Sequence, residues 1–271
     1  MPPHLLSPER LTETLATQLG QFDHINWVTH TGSTNADLMA QAYLPIGSCQ
    51  LLGAHLQTAG RGRAGRVWHN TADQSLTFSC CFETDLKPLA LNGLSLALGV
   101  GTCEALRAFC PAHQIDRLKL KWPNDLMFEH GKLAGILVET QINAKRIRIV
   151  VGMGINLTHA QALGETLGRQ VSALNSIFSL NTDTLTSIIC HVATAWHDIV
   201  FHYTQHNFLA FAPRFTQLDY LANQPIDVLQ HQNLLLQGMA CGIDSHGALR
   251  VCNEQGVTAV TVGDISVRLQ Q

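Results

Sequence analysis

Apolar and polar positions alternate with a period of two through much of this chain, in short runs broken by turn signals. Residues 24–30, 49–57 and 75–82 read as strands, and so do 118–122, where Lys119 and Lys121 alternate with apolar neighbours. Residues 124–128, 132–141 and 146–157 continue the pattern, with turns at Glu129-His130-Gly131 and Asn143-Ala144-Lys145. Such hairpins predict a largely antiparallel sheet. Arg146 and Arg148 alternate with Ile147 and Ile149, which predicts one polar sheet face.

Helical spacing occupies the remaining long segments. Residues 7–20 predict a short helix with Pro8 at its start and Gly20 at its end. Ser33-Thr34-Asn35 supplies capping-type residues ahead of a helix over 36–43. Residues 89–109 are apolar at helical spacing and rich in small residues, which predicts close packing on a sheet. Further helices are expected over 182–201 and near 207–215. From about residue 217 the pattern changes to short strands (225–229, 234–243, 248–251, 257–260, 265–269) separated by turns such as Asp244-Ser245-His246-Gly247. This predicts a small all-β barrel. The expected organisation is α+β: a sheet-and-helix domain over 1–216 and a small barrel over 217–271.

Composition narrows the function. A net charge of −3 over 271 residues, with 46% hydrophobic and 14% charged residues, argues against general nucleic-acid binding. The eight cysteines (49, 80, 81, 103, 110, 190, 241, 252) show no C-x-x-C spacing and are expected to be reduced, mostly buried, in a cytoplasmic protein. Cys80 and Cys81, adjacent on one strand, should face opposite ways. Neither a secretory signal nor a membrane span is expected. His202 and His206, four apart on a helix, lack the pattern of a zinc site and are expected to be surface histidines.

Against this sparse charge, residues 58–68 stand out: Thr-Ala-Gly-Arg-Gly-Arg-Ala-Gly-Arg-Val-Trp. Gly60, Gly62 and Gly65 alternate with Arg61, Arg63 and Arg66, and Trp68 follows. Glycine permits close backbone approach, and successive amides can curl into an anion-binding nest. Arginine adds forks that grip phosphate or carboxylate. A solvated Gly-Arg arm is the alternative, but the run occurs once and is clamped between two strands.

Three further segments mix chemistry. Lys121-Trp122-Pro123-Asn124-Asp125 joins a cation, an indole, an amide and a carboxylate around a proline, though Trp122 reads as core and Asn124-Asp125 could be turn residues. Lys132 opens Lys-Leu-Ala-Gly-Ile-Leu on the paired strand, either as a snorkelling edge residue or as a fixed charge for an anion. Gly152-Met153-Gly154-Ile155-Asn156 ends the next strand, its glycines open to a close-packing role.

Taken together, in this order and spacing, and with Ser33-Thr34-Asn35 upstream, these segments resemble the biotin protein ligases. The tail, with Gly242-Ile243-Asp244, Gly247-Ala248-Leu249 and Gly263-Asp264-Ile265-Ser266, is similar to that family's C-terminal barrel. The resemblance implies a class II synthetase-like catalytic domain with an SH3-like barrel. It implies activation of biotin by ATP, with Mg2+, to biotinyl-5′-adenylate, then transfer to one lysine of a biotin carboxyl carrier protein, an acetyl-CoA carboxylase subunit. By the same match, Arg63 and Lys132 are the catalytic candidates. Ser33, Thr34, Asn35, Gln57, Gly60, Arg61, Gly62, Arg63, Lys132 and Gly135 would line the biotin site. Arg63, Arg66, Trp68, Asn124, Asp125, Lys132, Asn156 and Arg268 would serve the nucleotide, with Asp125 helping to place Mg2+; no metal ligand set is otherwise implied.

Some members carry a DNA-binding module ahead of the catalytic domain. About 23 residues precede the first strand here, which leads to the expectation of a monofunctional ligase, a monomer or weak homodimer without nucleic-acid or membrane partners. A lipoate-type ligase is the alternative within this chemistry, and a biotin-responsive DNA-binding regulator the alternative outside it.

Overall fold

The computed structural model describes residues 5–143, 145–203, 208–231, 233–263 and 265–270. Ala144, His206, Asn207 and Asp264, which the sequence pattern singled out, lie outside them.

Helix α1 (Pro8–Gln18) is capped by Ser7 and buries Leu11 and Leu15. Strand β1 (His24–Thr31) leads to α2 (Thr34–Ala40), whose N-cap is Ser33. Then follow β2 (Cys49–Gln57), β3 (Ser75–Thr84) and α3 (Leu94–Arg107). The hairpins of the sequence pattern appear as β4 (Leu118–Lys121), β5 (Asp125–Phe128), β6 (Gly131–Asn143) and β7 (Arg146–Asn156). Together they form a seven-stranded sheet in the order β1-β2-β3-β7-β6-β5-β4. Only β1 and β2 pair in parallel; every other pair is antiparallel.

Both faces of this sheet are covered, which its burial explains. One face packs on α1, α3 and α5 (Thr182–His202) around Phe78, Phe82 and Trp196. Gly101 lets α3 meet α5, since a Cβ there would lie 2.4 Å from Ile199 Cδ1. The other face packs under α2, where Leu38, Leu52, Cys81 and Val150 form a second cluster. Cys80 and Cys81 therefore face opposite layers, as expected.

The expected polar face of β7 is not there. Arg148 is fully buried and bound to Glu83, its register partner on β3. Its guanidinium also donates to the carbonyls of Leu38, Met39, Gln41 and Ala42 at the end of α2, and stacks on Tyr43 at 4.3 Å. Strand alternation marks which face a side chain joins, not whether a helix covers that face. Arg148 neutralises the partial negative charge of the α2 C-terminus and so anchors a helix whose other end carries Thr34 and Asn35.

A helix the sequence pattern did not give, α4 (Ala160–Leu167), follows β7, and α6 (Phe208–Leu218) leads to the C-terminal strands. These are β8 (Pro225–Gln230), β9 (Asn233–Ile243), β10 (Leu249–Asn253), β11 (Gly256–Val260) and β12 (Ile265–Leu269). They form an antiparallel sheet in the order β11-β10-β9-β8-β12, bent by register shifts at Val228/Leu229 and Leu249/Val251. Among the described residues the expected barrel is not closed. β12 takes the free edge of β8, and β11, exposed at its first four positions, has little apolar surface to bury against it.

Cys241 and Cys252, on neighbouring strands with Cα atoms 6.2 Å apart, form a disulfide, so the expectation of eight reduced cysteines is corrected for these two. The other six are free thiols. Burial pushes Cys49 up to about 11 and Cys103 up to about 12, which leaves them inert at neutral pH. Among the described residues no helix is long and apolar enough to cross a membrane.

The C-terminal sheet is tied to the larger one. Trp122, buried as core, donates from Nε1 to Gly247 O at 3.0 Å, and Tyr220 N donates to Leu120 O at 3.1 Å. These contacts tie the C-terminal sheet to β4 and to the turn that leads from it into β5.

Candidate active site

A cavity of about 1050 Å3 runs between the α2 face of the large sheet, the loop at 61–69 and β12. Four small residues of its floor, Ser79, Gly152, Gly154 and Gly135, stand on neighbouring strands. On β3, Thr77 and Ser79 stand opposite Gly154 and Gly152 of β7, which stand opposite Gly135 and Leu137 of β6. The glycines make room for side chains. A Cβ on Gly152 would lie 2.0 Å from Asn35 Oδ1, and one on Gly154 would lie 2.2 Å from the Trp68 indole. The close-packing reading of the G-x-G segment is therefore correct, and what packs there is the candidate site itself.

At one end, the start of α2 meets β2 and β3 in a chain of hydrogen bonds. Gln57 Oε1 accepts from Thr34 N at 2.8 Å and from Thr34 Oγ1 at 3.1 Å. Thr34 Oγ1 lies 2.6 Å from Ser79 Oγ, which donates to Asn35 Oδ1 at 2.6 Å. Ser33, Thr34, Asn35, Gln57 and Gly135 thus line the cavity, together with Ser79. A polar residue recurring at alternate positions of an apolar strand, Thr77 then Ser79, was the available signal for it.

The Gly-Arg segment forms a short hairpin over the cavity. Arg61 and Val67 pair across it, and Ala64 and Gly65 turn through positive φ at 53° and 69°. Gly62 N donates to Arg66 O at 2.7 Å, Arg66 N to Arg63 O at 3.2 Å and Trp68 N to Gly60 O at 2.9 Å. These three amides are committed within the loop, so the expected nest is partly filled by the loop's own carbonyls. Gly60 itself does not line the cavity. It serves the hairpin, where a Cβ would lie 2.8 Å from Trp68 O.

The side chains of the loop do reach the cavity. Arg63 donates to Asn124 Oδ1 at 3.3 Å and to Gly263 O at 2.6 Å, bridging the loop, the start of β5 and the C-terminal sheet. Asn124 in turn donates to Ile136 O at 2.5 Å. Arg61 lies 3.4 Å from Glu139, and Arg66 lines the mouth, exposed. Trp68 lies over Gly154 with Gly135 beside it, and its buried Nε1 has no hydrogen-bond partner among the described residues.

Lys132 is the centre of the arrangement. Its Nζ lies 2.5 Å from Asp125 Oδ1 and 5.7 Å from the Trp68 ring centre. The fixed-charge reading of this lysine is the one its position supports, because it faces the cavity rather than open solvent. Asn156 was expected beside the nucleotide, but it does not line the cavity. It lies behind Lys132 and donates to Lys132 O and Ser172 O, both at 3.1 Å. A strand-end amide holds the backbone that carries the cation, which the motif alone did not distinguish from ligand contact.

Arg268 reaches the cavity from β12, and Lys121 and Arg169, which sequence reading gave no role, join it. Burial pushes the Lys121 ammonium below its usual value; Asp125 opposes this, while Lys132, Arg169 and Arg268 add to it. Seven of the chain's 17 lysines and arginines line this cavity against one carboxylate, Asp125, among the described residues. Such a field favours a strongly anionic ligand. Among the described residues no group of three or more His, Cys, Asp or Glu could hold a metal ion.

Residues 41–156 match the model of the biotin/lipoate A/B protein ligase family. The chain is 31% identical over 218 residues to the bifunctional ligase/repressor BirA of Escherichia coli, covering 79% of this chain and 65% of that protein. It is 40% identical over 136 residues to the biotin–[acetyl-CoA-carboxylase] ligase of Mycobacterium tuberculosis, 49% of each chain. The chain thus spans less than two thirds of either relative. The fold is that of the biotin protein ligase of Aquifex aeolicus solved with biotin and ATP, with a TM-score of 0.70 at 23% identity over 92% of this chain and all of that one. A biotin acetyl coenzyme A carboxylase synthetase from Helicobacter pylori aligns at a TM-score of 0.58 and 21% identity, over 87% and 99%.

Proposed function

We propose that this chain, a member of the biotin/lipoate A/B protein ligase family, is an ATP-dependent biotin protein ligase. It joins biotin to AMP and then passes biotin to a lysine of a biotin carboxyl carrier protein. The observation that carries this reading is the polar floor at Thr34, Gln57, Ser79 and Asn35. A cyclic urea offers donors and an acceptor to such a floor. A dithiolane ring offers neither, and would leave buried polar groups unpaired at a cost of about 1–3 kcal/mol each. The floor therefore favours biotin over lipoate.

In the first step a biotin carboxylate oxygen attacks the α-phosphorus of ATP and pyrophosphate leaves. Both reactants are anions, so the site must hold them together against repulsion. Lys132, fixed by Asp125 and by the backbone that Asn156 holds, places a positive charge where carboxylate and phosphate meet. Arg63 stands across the cavity, Arg66, Lys121, Arg169 and Arg268 surround the phosphate path, and Arg61 lies at the biotin end beside Glu139. Trp68, Asn124 and Asp125 form the nucleotide side. In the second step the carrier amine attacks the acyl carbon and AMP leaves, so no enzyme-bound covalent intermediate is required.

Magnesium in such chemistry leans on substrate phosphates and retains its waters. Asp125 fits as one protein ligand, being the lone carboxylate among the described cavity residues. When bound, the ion offsets phosphate charge.

We take residues 1–216 as the catalytic domain and 217–271 as a domain that closes the phosphate end through Arg268 and the Arg63–Gly263 contact. The test is exchange of pyrophosphate into ATP with biotin or lipoate, followed by ATP-dependent labelling of a biotin carboxyl carrier domain. Biotin-dependent exchange and labelling is the expected result; exchange with lipoate alone overturns the reading.

A further inference from the structure

We propose that Glu139, which does not line the cavity, sets the hydrogen-bond polarity of its biotin end and is thereby a specificity-determining positioning residue. The inference rests on the reading of that end as the biotin site. Glu139 Oε2 accepts from Asn35 Nδ2 at 2.8 Å, and the same oxygen lies 3.4 Å from Arg61 Nη2. A carboxylate has no proton to give, so Asn35 must turn its amide nitrogen toward Glu139. Leu137 O, 3.4 Å from the same nitrogen, reinforces that orientation.

The rest of the chain follows from counting protons. With its nitrogen on Glu139, Asn35 presents Oδ1 to Ser79, so Ser79 spends its one hydroxyl proton there, at 2.6 Å. Ser79 can then only accept in its 2.6 Å contact with Thr34, so Thr34 is the donor. The Thr34 proton is thereby on Ser79, the longer 3.1 Å contact with Gln57 Oε1 can only share it, and the Thr34 oxygen is left as an acceptor toward the cavity. Thr34 N on Gln57 Oε1 fixes that amide as well. A ligand at Thr34 must therefore bring a donor, which a urea N–H supplies. Gly152 completes the device, because a Cβ there would displace the Asn35 oxygen.

One carboxylate outside the cavity thus orients three side chains inside it, Asn35, Ser79 and Thr34. In Glu139→Gln an amide replaces the carboxylate and can donate or accept, so Asn35 can flip and the hydroxyl chain can run either way. The charge-assisted bond, about twice the strength of a neutral one, is lost too.

The experiment compares the parent, Glu139→Gln, Ser79→Ala and the double variant. It reads biotin affinity by calorimetry without ATP, and the KM values for biotin and ATP. Glu139→Gln should weaken biotin about tenfold and leave the KM for ATP unchanged. Ser79→Ala breaks the chain one link nearer the ligand and should show the same split, and the double variant should lose no more than the worse single one, because a broken chain cannot be broken again. Parental biotin affinity in Glu139→Gln, equal losses for both substrates, or additive losses in the double variant would overturn the inference. A parent that binds no biotin would overturn the ligase reading itself, and this inference with it.

Discussion

Gly154 lies beneath the Trp68 indole so closely that a Cβ there would sit 2.2 Å from the ring, while Gly152, two residues earlier, lies as close to Asn35. The two glycines of one motif therefore serve opposite ends of the cavity. Gly152→Ala should raise the KM for biotin, and Gly154→Ala should raise the KM for ATP, because each displaces a different side chain. The clashes are with atoms that can move in part, so each change should cost roughly 1–3 kcal/mol, or about fivefold to a hundredfold. Identical KM profiles for the two variants would show that the motif acts as a unit.

Lys132 faces Asp125 at 2.5 Å, so its charge is placed before any ligand arrives. A preplaced charge matters most where negative charge builds in the transition state. Lys132→Ala should lower kcat for adenylation at least about tenfold, since a hydrogen bond to a charged group contributes roughly 1.5–3 kcal/mol. Biotin affinity without ATP should change little. Normal pyrophosphate release with weakened biotin binding would remove the lysine from the chemical step.

The strands and most helices were legible in the sequence because their apolar periods are long and their turns carry Gly or Asn. β2 and β12 have the expected bounds. Helix α4 fully buries no residue, and its apolar positions, Ala160, Leu163 and Leu167, make a stripe too short to stand out. Arg148 was misplaced because alternation is blind to a covering helix, and the cysteine pair because strand register, not sequence spacing, brings 241 and 252 together. In the site, loop and lysine were legible as chemistry. Glu139 was not, since it acts through Asn35, on an element far earlier in the chain, and Ser79 left only the alternation of Thr77 and Ser79 on an apolar strand. Asn156 holds the backbone of Lys132, and in a motif backbone support and ligand contact look alike.

Asp219, 8% exposed at the junction with the C-terminal sheet, receives Leu221 N at 2.9 Å. Burial pushes its carboxyl from 3.8 up to about 6, against the smaller opposing effects of that hydrogen bond and of Lys119. The folded chain therefore holds this proton more tightly than the unfolded chain. Its stabilising effect is full below pH 4 and is lost as pH rises through about 6. Asp219→Asn keeps an acceptor for Leu221 without the charge. It should be the more stable form at pH 7, by up to roughly 3 kcal/mol, and the difference should shrink toward pH 4. A gap between the two unfolding curves that does not vary with pH would remove Asp219 as its source.

Arg63 is held from both sides, by Asn124 Oδ1 at 3.3 Å and Gly263 O at 2.6 Å, so it spans the seam between the loop and the C-terminal sheet. The adenylate is a reactive mixed anhydride and must be kept from water and stray amines. Six other cations line the cavity, so synthesis has substitutes for this charge. The seam does not, because no other loop arginine bonds both Asn124 and the C-terminal sheet among the described residues. Arg63→Gly should therefore speed escape of the adenylate more than it slows its formation. The released adenylate would label exposed lysines on bystanders. Mixing the variant with ATP, biotin and an unrelated lysine-rich protein should give biotin on that protein, and the parent should give none. A variant that forms adenylate, retains it and labels only the carrier domain would show that the seam is closed by another residue.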